Sequence, residues 1–77
     1  MFNLALKKDF EINWLELGNH QRSIVLKKIV ETNKTEIISF LESGGTIKDI
    51  QKAFEQIEIP CHYNSLRNAL RHFDITN

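Results

Sequence analysis

From position 63 the chain reads Tyr-Asn-Ser-Leu-Arg-Asn-Ala-Leu-Arg. At helical pitch Leu66, Ala69, Leu70 and Phe73 fall on one side with Tyr63 at their edge, while Asn64, Ser65, Arg67, Asn68 and Arg71 fall away from them. Those polar types can read the edges of base pairs. Arginine donates two hydrogen bonds to guanine O6 and N7, and asparagine pairs with adenine N6 and N7, each good pair contributing ~1–3 kcal/mol of discrimination. Tyr63 and Ser65 stand where a helix begins and its backbone N–H groups are free, a position suited to phosphate oxygens. Lys48 and Lys52 share the exposed side of the preceding helical stretch and are placed to lie against a phosphate backbone. Plainer roles exist for each group. Exposed arginines are common on small helices, Asn64 can serve only as an N-cap, and Tyr63 can be a core residue with its hydroxyl at the rim.

Other chemistries find no footing. Cys61 and His62 are sequence neighbours, but a nucleophile and its base are normally brought together by the fold, and no orienting acid accompanies them. His20, His62, His72 and Cys61 lack the paired spacing of zinc ligands. Gly44-Gly45 is not followed by the Lys-Ser or Lys-Thr of a phosphate-cradling loop. The expectation is a protein that is not an enzyme, with no catalytic residue, no metal and no cofactor.

The whole chain bounds these readings. Seventy-seven residues make one small domain, which at this size buries only ~60% of its unfolded surface, so self-association is a live option. Ten Lys and Arg are balanced by ten Asp and Glu, and neither half carries a tail of like charge. Nucleic-acid binding must then rest on local charge rather than on net charge. The single cysteine cannot form an internal disulfide, which points to a reducing, cytoplasmic setting. The apolar start breaks at Lys7 and Lys8, too short for a signal-peptide core or a membrane span.

The elements follow from periodicity and punctuation. Residues 1–18 form an N-terminal arm. Phe2, Leu4, Leu6, Phe10, Ile12 and Trp14 alternate roughly as a short strand or extended segment does, and a helical turn around residues 4–8 is the alternative. Trp14 with Phe10 and Ile12 reads as packing rather than as a stacking platform. Residues 19–42 hold one or two helices. Asn19 suits the N-cap of the first, in which Ile24, Val25, Leu26, Ile29 and Val30 recur at helical spacing. Asn33, followed three residues later by Glu36, fits a capping box that would start a second helix burying Ile37, Ile38, Phe40 and Leu41. One long helix with Asn33 inside would also keep Val30, Asn33, Ile37 and Leu41 on one face. Gly44 and Gly45 then end the helix. Thr46 caps the next one with Asp49 as its partner, and Ile47, Ile50, Phe54 and Ile57 form its stripe, with Ile59-Pro60 as the stop.

The run Leu41-Glu-Ser-Gly-Gly-Thr-Ile-Lys-Asp-Ile, then Ile57 or Ile59, then Tyr63-Asn-Ser-Leu-Arg-Asn-Ala-Leu resembles the trihelical helix-turn-helix pattern of bacterial regulators, resolvases and conjugative-plasmid accessory proteins. The likeness covers residues 34–73, about half the chain. It departs from the pattern in the long connection over residues 55–62, which contains Glu58, and in the zero net charge. The resemblance implies an all-α domain over residues 1–77 with a helix-turn-helix at 46–73. It further implies a sequence-specific DNA-binding regulator or accessory protein of bacterial, plasmid or phage type. Such a protein would act as a homodimer on double-stranded DNA, with Lys48, Lys52, Tyr63, Asn64, Ser65, Arg67, Asn68 and Arg71 as its contact residues. The alternative is a helical inhibitor or adaptor from a mobile element, whose partner is a larger protein complex.

Overall fold

The computed structural model describes residues 4–8 and 11–75. Phe2 and Phe10 of the N-terminal apolar set lie outside the described residues. The described chain is all-α: a short 3-10 turn at Trp14–Glu16 precedes α1 (Asn19–Thr32), α2 (Lys34–Glu42), α3 (Ile47–Gln56) and α4 (Tyr63–His72). Helix α4 packs against both α1 and α3, and α1 meets α2.

Residues 4–8 adopt neither a strand nor a helical turn. Leu4, Leu6, Ile12 and Leu17 pack partly against the core and Trp14 is buried within it, so the arm covers the helices. That core is built from Leu26, Ile29 and Val30 of α1, Ile37 and Phe40 of α2, Ile50 and Phe54 of α3, and Leu66 and Leu70 of α4. Leu41, Ile47, Ile57 and Phe73 pack against its edge, as their spacing predicts. Ile24 departs from expectation and is 53% exposed. It stands two positions from Leu26, nearly opposite on the helix, and the stripe that meets α4 is set by Leu26, Ile29 and Val30.

The first two caps differ from the sequence expectation. Gly18, not Asn19, is the N-cap of α1, because Gly18 keeps extended dihedrals while Asn19 is already helical. Having no side chain, Gly18 leaves that helix start without a capping group. At residue 33 the helix does break, with φ −107° and ψ 19°, but no capping box forms. The Asn33 N–H already donates to Ile29 O at 3.1 Å and is not free for Glu36. The buried Asn33 amide turns inward instead. Its Nδ2 donates to Ile29 O at 2.8 Å and to Lys7 O at 2.9 Å, while Oδ1 accepts from the Lys7 N–H at 2.7 Å. Only this amide orientation matches two carbonyls and one N–H, so Asn33 both marks the kink and ties the arm to it.

Helices α2, α3 and α4 end in the same motif. The N–H of Gly45 donates to Phe40 O and that of Gly44 to Leu41 O; Ile59 and Glu58 repeat this on Phe54 and Glu55, and Ile75 and Asp74 on Leu70 and Arg71. These are Schellman closures, in which the residue after the C-cap takes a left-handed conformation. Gly44 does so at φ 99°, but Glu58 (φ 65°) and Asp74 (φ 58°) do so with side chains. The closures of α3 and α4 each deliver an apolar residue, Ile59 and Ile75, into the core. The stop of α3 therefore comes from Glu58 rather than from Ile59-Pro60. Gly45 is needed for another reason, since a Cβ there would overlap the Phe40 ring. The start of α3 carries the expected capping box: Thr46 Oγ1 accepts from the Asp49 N–H at 3.2 Å, and the Asp49 carboxylate accepts from the Thr46 N–H at 3.2 Å.

Candidate nucleic-acid interface

Burial of Leu66, Ala69 and Leu70 fixes the rotation of α4 and leaves Asn64, Ser65, Arg67, Asn68 and Arg71 exposed. Tyr63 is 37% exposed and so lies outside the core. Asn64 is not the N-cap. That position is taken by His62, with φ −75° and ψ 150°, and no side chain caps the helix. No acidic residue occupies the first turn of α4 either. No carboxylate of its own first turn therefore faces the positive end of its dipole. Among the described residues, the Arg67 and Arg71 side chains make no hydrogen bond or ion pair.

The eight residues expected at the interface do not form one cluster. Lys48 and Lys52 are exposed on α3, and Lys52 lines a shallow depression shared with Asp49, Phe40 and Gly45. Ser65, Asn68 and Arg71 turn toward α1 and line a cavity of about 590 Å³ between α1 and α4. Tyr63, Asn64 and Arg67 lie outside that cavity.

Helix α1 contributes what the sequence pattern of α4 did not indicate. Arg22 and Lys27 line the cavity that Arg71 also lines, with Asn19 and Ser23 from the same helix and His62 and His72 from the start and end of α4. No carboxylate of the described residues lines it. Arg22 is held in place: its Nε donates to Trp14 O at 3.1 Å and its Nη2 to Leu15 O at 3.5 Å, and its guanidinium carbon lies 5.3 Å from the centroid of the Trp14 ring. A cation stacked on an indole and bonded through Nε and one Nη2 hydrogen keeps its remaining guanidinium N–H groups for an incoming acceptor. The sequence signal for this face is the helical spacing of Asn19, Arg22, Ser23 and Lys27. It acquires meaning only once α1 is known to pack beside α4.

Cys61 is among the residues lining the cavity and is buried. Removal from water pushes its thiol up to about 11, against a lowering by a backbone hydrogen bond and with the least contribution, also upward, from the nearby Glu55 charge. At neutral pH it is a protonated thiol and a poor nucleophile. The Gln51 side chain donates to Cys61 O at 2.9 Å and so braces the connection between α3 and α4. That connection holds six residues, 57–62, longer than the three or four usual between the helices of a helix-turn-helix. Among the described residues no group of three or more His, Cys, Asp or Glu is placed to hold a metal ion. No helix is long and apolar enough to cross a membrane.

Comparison with protein-family models, with curated proteins and with solved structures finds no match to this chain.

Proposed function

We propose that the protein binds double-stranded DNA through α4 and the adjoining face of α1, as a small regulator or accessory factor of the kind its sequence resembles. The observation that carries this reading is charge segregation. In a chain of zero net charge, Arg22, Lys27 and Arg71 converge on one cavity that no described carboxylate lines, beside the exposed polar face of α4. Asn64, Arg67 and Asn68 supply base-edge contacts, whereas Arg22, Lys27 and Arg71, with Lys48 and Lys52 on α3, anchor phosphates. Specificity at the level of an operator needs more bases than one short helix touches, so two copies act on half-sites one DNA turn apart, ~34 Å. Leu15, 77% exposed, and Ile24 offer apolar surface for that pairing.

Selection from a randomised duplex pool tests the reading. Arg67→Ala is expected to weaken the selected site by ~1–3 kcal/mol and relax one base pair, while Lys48→Ala weakens all sequences about equally. A second reading draws on Tyr63 and Arg67, which lie one helical turn apart outside the cavity and are residue types that anchor protein interfaces. Unchanged DNA retention in Arg67→Ala and Arg71→Ala, together with loss of a protein partner, would favour that inhibitor or adaptor role.

A further inference from the structure

We infer that the α1–α4 cavity is a seat for a nucleotide phosphate, with Arg22, Lys27 and Arg71 as its cations. The inference rests on the DNA reading only in naming the duplex backbone as the source of that phosphate; the anion chemistry of the cavity stands without it. At about 590 Å³ the space is of the size that takes a small ligand, and it is far larger than one phosphate needs. A group the size of a nucleotide unit fits it.

Three features make an anion the matching occupant. The first is composition: three cations line the cavity and no described carboxylate does. The shallow depression beside α3, by contrast, carries Asp49 against Lys52. The second is preorganisation, because Arg22 is half-buried and fixed by Trp14 before any ligand arrives. An arginine already held in place loses less side-chain entropy on binding than a free one. The third is the ring of polar donors. Ser23 and Ser65 offer hydroxyls, Asn19 and Asn68 amides, and His62 and His72 ring nitrogens. The first turns of α1 and α4 both border the cavity, and neither contains an acid or a capping side chain. By contrast, α2 and α3 carry Glu36 and Asp49 there.

The test is a titration of the full chain, followed by amide chemical shifts, with inorganic phosphate, adenosine monophosphate, sodium sulfate and a short duplex. Saturable shifts confined to residues 19–27, 61–65 and 68–72 are expected with the phosphate-bearing probes and, because sulfate is a near-isosteric oxyanion, with sulfate as well, and not with sodium chloride at matched ionic strength. Arg71→Gln and Lys27→Gln should each weaken the nucleotide or duplex about tenfold, the usual loss for one charge-assisted contact. Arg71 makes no contact that the fold needs, so this variant keeps the test valid should Arg22→Gln disturb Trp14. Saturation by the mononucleotide with no duplex binding supports the seat and removes the DNA reading. Duplex binding that depends on Arg67 but is indifferent to Lys27→Gln and Arg71→Gln overturns the seat and leaves duplex binding through the exposed face of α4 without it. Scattered, unsaturable shifts with every probe overturn the seat outright.

Discussion

Replacing Asn33 with alanine should detach the N-terminal arm and destabilise the whole domain by ~2–3 kcal/mol, because two of its three side-chain hydrogen bonds go to the Lys7 backbone. A net hydrogen bond contributes ~0.5–1.5 kcal/mol, and leaving buried partners unpaired costs more. Ile29 O keeps a partner in the Asn33 N–H. The loss therefore falls on the N–H and C=O of Lys7 and on the volume vacated by a fully buried side chain. A chain of this length has a total stability of about 4–12 kcal/mol at ~0.05–0.15 kcal/mol per residue. The loss is then a large fraction, expected to lower the melting temperature by roughly 8–24 °C. Thermal and urea unfolding by circular dichroism measure the energy, and hydrogen exchange at the Lys7 amide reports the tether itself. The wild-type amide should be protected although residues 4–8 have no regular structure, and the variant should lose that protection. Asn33→Leu restores volume without hydrogen bonds and should rescue little. A change below ~0.5 kcal/mol, with Lys7 exchange unaltered, would show that the amide merely fills space.

Three further outcomes follow from helix ends and the buried thiol. Glu58→Gly should stabilise the fold by ~1 kcal/mol in urea unfolding, since it relieves a left-handed backbone in a residue with a Cβ. Asp74→Gly should gain less, because aspartate tolerates that conformation better than glutamate does. The Cys61 thiol, ordinarily near 9.0 and pushed up to about 11 in the fold, favours the protonated state on folding. The associated stability is complete below pH 9 and is lost as pH rises toward 11. Cys61→Ala should lack that part of the alkaline decline, and the native thiol should react with a thiol reagent much more slowly than the unfolded one.

How much of this was legible depended on sequence distance. The Thr46–Asp49 box and the Gly44 terminus could be read because their partners lie within one turn. Asn33 was recognisable as a break, yet its role was not, because its decisive partner Lys7 lies 26 positions away. Glu58 and Asp74 gave no sign of left-handed closures, since a glycine normally announces them. The polar face of α4 followed from Leu66, Ala69 and Leu70. Its companions Arg22 and Lys27 did not, because periodicity orients each helix but does not say which helices become neighbours.

The central claim, that a locally cationic surface of a neutral chain binds duplex DNA, is tested most directly by affinity for a selected duplex across a salt series. Each neutralised phosphate contributes a log–log slope of ~−0.9, so engagement of most of Arg22, Lys27, Arg71, Lys48 and Lys52 predicts roughly −3 to −4.5 per chain. Arg71→Gln should flatten the slope by about 0.9. An affinity indifferent to salt, or no measurable duplex binding at low salt, would contradict the account.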